Sequence, residues 1–334
     1  MHLRTAADQL AEPAHMTVTI PTDTNIDALN ARIRARRARM FEKDRLTELC
    51  SAKSLPSLAA QIYPDQGIDS PLKLEKRLAD DHFADLAWIG DFLGEPEHGF
   101  FLLLLERTRL ENVKVLFRGL HAHRRPEEVA PYLASTPGLP ELPARQMLEA
   151  ADPRKSAALV PDPALRRMAA EGAEAFLRRA KPFFFDAAAD RAYFATLISA
   201  AEQARLWEPD RGADLIALEA CIYQTMLVIR LKASYQLPWA DAAPLARIPR
   251  GLPLKLVEQM YSAADLRKAI ELLPSRLREH VPGSASTPDD VERALALHLY
   301  RRADSAFYRT GVSMAAVVAF YYLKRAELAN LIRL

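Results

Sequence analysis

The eighteen residues GLPELPARQMLEAADPRK (Gly138–Lys155) return without a gap as GLPLKLVEQMYSAADLRK (Gly251–Lys268), identical at ten positions. The offset, 113 residues, also carries Leu102, Leu105 and Glu106 onto Leu215, Leu218 and Glu219. A repeat of this length implies duplication of a supersecondary unit that cannot bury its apolar face alone and stacks on its copies. A third echo is shorter. Ser51, Ala52 and Leu55 match Ser262, Ala263 and Leu266, and Leu105, Arg107, Leu110 and Asn112 match Leu323, Arg325, Leu328 and Asn330 at an offset of 218. Three copies of about 100 residues account for the 334-residue chain. The expected units are residues 26–125, 126–236 and 237–334, after a loose tail at 1–25 in which Met16 is an alternative start. Clusters of Pro and Gly at Gly94–Gly99, Arg124–Pro143, Pro238–Pro253 and Pro282–Pro288 predict loops.

The apolar period inside each unit is helical. Ile26, Leu29, Ile33 and Met40 make one stripe, spaced i, i+3, i+7 and i+14. Only 11 glycines occur, and Ala, Leu, Arg and Glu dominate, so the expected fold class is all-α. Each copy predicts a short helix opened by a side-chain cap, at Ser54, Asp152 and Asp265, with Pro153 at the favoured first helical position in the second. Longer helices follow.

Charge and cysteine usage exclude several classes. The balance of 45 basic against 43 acidic residues leaves a net charge of +2, without the basic footprint of a nucleic-acid binder. Cys50 and Cys221 are the only cysteines, too few for a metal cluster or disulfide framework and compatible with a reducing cytoplasm. The first residues lack the apolar core of a secretion signal. The longest charge-free run, Thr310–Leu323, falls short of the roughly 20 residues that cross a bilayer. No G-x-x-x-x-G-K-[ST], G-x-G-x-x-G or G-x-S-x-G motif is present, so no nucleotide or other cofactor is expected.

Few residues remain as site candidates. Arg32, Arg36 and Arg39 share one helix face, either a solvated surface or one for an anionic partner. Asn112 and Asn330 sit inside apolar helices, where an amide is costly unless hydrogen-bonded; they are read as structural polar anchors. In the middle copy the register puts Thr225 at that position, beside Gln224. Asp80, Asp81 and Asp85 span about one and a half turns and pose the enzymatic alternative, a magnesium site gripping a diphosphate. That site needs a second acidic motif on a facing helix, and the only other Asp pair, Asp289-Asp290, reads as a helix start. No catalytic or metal residue is therefore assigned. His121 and His123 are followed by Arg124 and Arg125, which would repel a cation, and Phe183–Phe185 reads as a wedge between helices.

Four stretches, in order, resemble the C-type subunits of bacterial and archaeal V/A-type rotary ATPases, the counterparts of the d-type subunits of eukaryotic V-ATPases. They are NARIRARRARMFEKDRLTELCSAKSLPSLAAQI (Asn30–Ile62), LLERTRLENVKVLFRG ending at Gly119, Asp190-Arg191-Ala192-Tyr193-Phe194, and the closing helix Ala315–Leu334. The resemblance spans residues 25–334 and implies three helical units around a pseudo-threefold axis, shaped as a funnel. It implies a non-catalytic rotor component at the cytoplasmic face, seated on the membrane rotor (proteolipid) ring and receiving the central stalk. Two departures stand out: Thr225 in place of an amide, and an end at Leu334 where relatives often continue. The competing expectation is a helical-repeat scaffold that binds another protein without a rotary role.

Overall fold

The computed structural model describes residues 22–209, 211–311 and 313–334, with side chains from Ile26 onward. The expected tail lies almost wholly outside the described residues, as does Met16. Among the described residues every regular element is helical. The first third holds α1 (Thr22–Arg37), α2 (Asp44–Cys50), α3 (Leu55–Ile62), α4 (Pro71–Ala87) and α5 (Glu97–His121). The middle holds α6 (Pro126–Val129), α7 (Ala144–Leu148), α8 (Pro153–Ala158), α9 (Pro163–Arg179), α10 (Pro182–Gln203) and α11 (Ala213–Arg230). The last third holds α12 (Trp239–Ala246), α13 (Leu254–Ser262), α14 (Leu266–Glu271), α15 (Ser275–Arg278), α16 (Pro288–Arg309) and α17 (Met314–Ile332).

The repeat is visible in how the helices start. Ser54, Asp152 and Asp265 cap α3, α8 and α14, accepting from the backbone N–H of Ser57 (3.4 Å), Lys155 (3.0 Å) and Lys268 (2.8 Å). Each bond satisfies one of the orphan donors of a first turn. Asp290 completes a capping box with Thr287 at the head of α16. The two glycines that open the long repeat serve different ends. Gly138 has φ +85° with open space around its α-carbon, whereas a Cβ on Gly251 would run into Oε1 of Gln224. Two expected loops hold whole helices: Arg124–Pro143 contains α6, and Pro238–Pro253 contains α12, with Pro244 inside it. Burial of Ala242, Leu245 and Ala246 overrides the breaker there.

The core runs across the expected unit boundaries. One apolar cluster contains Leu29 and Phe117 from the first third, Phe185 and Leu215 from the second, and Phe307 and Phe320 from the last. Phe185 stacks on Phe117 at 3.9 Å, and Phe183 stacks on Tyr235 at 4.0 Å, so the phenylalanine run does wedge between segments. Helix α17 sits deepest, with every residue from Met314 to Lys324 buried. A helix apolar on all sides must be surrounded, and α17 packs against α16, α4, α1 and α11.

Candidate interaction site

Charged side chains enter this core at corresponding positions of the repeat. Arg107 on α5 and Arg325 on α17, 218 residues apart in sequence, come close enough for each guanidinium to oppose the other's charge. Arg325 Nη1 meets Glu219 Oε1 on α11 at 2.5 Å, and the Tyr322 hydroxyl donates to Glu219 Oε2 at 2.7 Å. Arg107 pairs with Asp190 of α10 at 2.9 Å and with Glu111 at 3.1 Å. Lys114 bridges the same two carboxylates at 2.5 and 3.0 Å. Burial alone would raise the Glu219 carboxyl, but Arg325 and Arg107 together hold it below its ordinary value. The Arg107 and Arg325 side chains remain 19% and 31% exposed, so the network reaches the surface.

The neighbouring register holds a carboxylate in two copies and an amine in the third. Glu106, Glu219 and Lys324 are equivalent by the offsets of 113 and 218. Glu106 pairs with the fully buried Arg109 at 2.5 Å, and burial, opposed by Arg109, pushes its carboxyl up to about 7. Lys324 joins Glu327 (2.5 Å) and Asp85 (2.8 Å), and Asp85 also holds Arg36 of α1 at 2.7 Å. Glu327 accepts from the Phe41 backbone N–H at 2.6 Å. Arg37 pairs with Glu42 and, at 2.8 Å, with Asp304 of α16. The first described helix is thereby tied to the last two by paired charges.

This accounts for the acidic cluster. Asp80 accepts from the Ser135 N–H at 2.6 Å and pairs with Lys76; Asp81 accepts from the Tyr63 hydroxyl at 2.7 Å and pairs with Arg77. With Asp85 on Arg36 and Lys324, the three carboxylates face three different sets of partners. Among the described residues no group of three His, Cys, Asp or Glu could hold a metal ion.

The amides divide. Asn112 is buried and bonds the Ala134 backbone twice, donating to its O at 2.8 Å and accepting from its N–H at 2.9 Å. In the middle copy Gln224, not Thr225, does the equivalent work. It donates to Ala246 O at 2.6 Å, again 22 residues downstream, and accepts from the Leu252 N–H at 2.5 Å. Thr225 turns back to Cys221 O of its own helix at 2.8 Å. Asn330 is half-buried near the end of α17, and its side chain has no hydrogen-bond partner among the described residues. Of the expected arginine face, Arg32 lies over the Phe92 ring at 4.7 Å and Arg36 over Trp88 at 4.6 Å, while Arg39 follows the helix end and is exposed.

The model of the ATP synthase (C/AC39) subunit family matches residues 29–334, which include every residue of these networks. The chain belongs to that family. No curated protein matches it significantly. As a C/AC39 family member it is a subunit of an ATP synthase complex. No described helix is long and apolar enough to cross a membrane. Sequence reasoning missed Arg37, Lys114, Asp190 and Lys324. A signal for part of the network was present, since Arg107 and Arg325 recur at one repeat position.

Proposed function

We propose that this family member is a non-catalytic central-rotor subunit, peripheral on the cytoplasmic face of the membrane. In this reading it seats on the rotor (proteolipid) ring and couples that ring to the central stalk for ion transport. Its three units, 26–125, 126–236 and 237–334, would surround a pseudo-threefold axis as a funnel. The family match over residues 29–334 carries the proposal. The charge network supports it: a body that transmits torque must resist shear between its first and last elements, and Arg36, Asp85 and Lys324 tie α1, α4 and α17 together. Asn112 serves this body as a polar anchor. The exposed Arg32 and Arg39, with Arg36 half spent on Asp85, are the proposed contact for an acidic partner, fixing register through charge complementarity.

Affinity purification of the tagged full chain tests the reading. Co-purification of both a central-stalk protein and the proteolipid ring is expected. Arg32→Glu with Arg39→Glu should weaken it more at low salt than at high salt. Recovery of neither partner refutes the coupling role and leaves a scaffold of another kind.

A further inference from the structure

A cleft of about 940 Å³ lies between the α10–α11 turn, α15, α16 and the start of α17. Among the described residues its lining holds more basic groups than acidic ones. Arg276 and His280 reach it from α15 and the residues just after, and His298, Arg302 and Arg309 from α16. The spacing 298, 302, 309 puts the last three on one helix face. Among the described residues two carboxylates also line the cleft, and both are engaged: Asp214 with Arg302 at 2.9 Å, and Glu208 with Arg211 at 3.7 Å. Arg276 and Arg309 have no carboxylate partner among the described residues. The side chain that Arg276 does touch is the Cys221 thiol, 3.4 Å away. Burial pushes that thiol up against the pull of Arg276, so it stays neutral and supplies no counter-charge to the guanidinium.

His280 and His298 stack face to face, ring centroids 3.6 Å apart and planes 18° from parallel. Rings stacked in this way present their nitrogens edgewise along parallel planes. They do not converge on one point as metal ligands would. Burial, then His280, Arg302 and Arg301, hold the His298 imidazole down to about 4. Apart from burial, the groups that depress it are all basic, which marks the field at His298 as positive. Forked guanidinium donors beside imidazole N–H groups match the oxygens of a phosphate, which accept in a bidentate manner.

We propose that this cleft binds a multivalent phosphate anion between Arg276, Arg309 and the His280–His298 pair. The anion neutralises the Arg276 and Arg309 guanidinium groups. It also lets His298 take up a proton against His280, Arg301 and Arg302, with Asp214 and Glu208 the opposing acids at the rim. Binding is therefore coupled to proton uptake and strengthens as pH falls.

Isothermal titration of the full chain with inorganic pyrophosphate, without magnesium, tests this at about pH 7.5 and about pH 6. Saturable binding is expected, tighter at the lower pH beyond what pyrophosphate's own protonation accounts for. Arg276→Gln and Arg309→Gln should each weaken it by about tenfold or more, the loss of a charge-assisted bond. Both side chains are exposed, and circular dichroism checks that the variants stay folded. His298→Gln should remove the excess pH dependence. A parallel arm uses phosphatidylcholine vesicles with and without phosphatidate. Binding of phosphatidate vesicles with the same arginine dependence, in place of pyrophosphate, identifies the phosphate as a lipid headgroup. Binding of neither, binding insensitive to both arginine substitutions, or capture of a polyglutamate peptide in preference to either, overturns the proposal.

Discussion

Gln224 and Gly251 form a coupled pair whose energetics follow from their contacts. The glutamine amide is 1% exposed and satisfies three buried backbone groups: Ala246 O, Leu252 N–H and, at 3.3 Å, Leu252 O. Ala246 is fully buried and Leu252 nearly so, so water reaches these groups only if the packing opens. Each orphaned group costs about 1–3 kcal/mol, a carbonyl with a second lone pair nearer the low end, and Gln224→Ala should therefore cost about 3–5 kcal/mol. In Gly251→Ala the new methyl takes the place of Gln224 Oε1 and lies 3.1 Å from Ile248 O. The amide must swing away, losing at least its bond to Leu252, for about 2–3 kcal/mol. With Gln224 already truncated, only the contact with Ile248 O remains, and the double variant should be nearly as stable as Gln224→Ala alone. The coupling energy is then about 2 kcal/mol. Urea unfolding followed by far-ultraviolet circular dichroism on all four proteins measures it. Additivity within about 0.5 kcal/mol would refute the claim that Gly251 is small because Gln224 is there. Gly138→Ala is the contrasting control: it meets no atom but holds φ +85°, so it should cost about 1–2 kcal/mol whatever stands at position 112.

Other outcomes follow from the charge networks. His82 is buried, and desolvation, then Lys324 and Arg325, lower it to about 3. A histidine depressed in the fold leaves stability intact above its unfolded value of about 6.5, and stability falls by up to about 1.4 kcal/mol per pH unit between about 6.5 and about 3. Urea midpoints at successive pH values should show this slope, and His82→Leu should reduce it; an unchanged slope assigns it elsewhere. Glu219→Gln leaves the Arg325 guanidinium without its carboxylate and should destabilise by about 2–4 kcal/mol, partly recovered by Arg325→Met. No recovery in the double variant would mean that the pair is not the source of the loss. Asp81→Ala should change stability by no more than about 1 kcal/mol and leave magnesium titration heats unaltered, since its carboxylate serves Tyr63 and Arg77. A magnesium heat lost in that variant would restore the enzymatic reading.

The helical class, the caps at Ser54, Asp152 and Asp265, and the correspondence between Arg107 and Arg325 were legible in the sequence. Helix starts and apolar periods are local properties, and a repeat records itself wherever a contact constrains it. That Asn112 needs a hydrogen-bond partner was legible as well, because a buried amide is costly without one. Its middle-copy equivalent was not: sequence register pointed to Thr225. One residue along a helix turns the side chain by about 100°, and the longer glutamine at 224 reaches the same kind of backbone groups. The arginine face looked uniform, yet Phe92, Trp88 and Asp85 engage Arg32 and Arg36, while Arg39 stays exposed and its neighbour Arg37 is buried. Which charges are interior depended on partners far away in the chain, such as Asp304 for Arg37 and Asp85 for Lys324. A charge is stable in a core only when its counter-charge arrives there too, and tertiary packing alone decides that meeting.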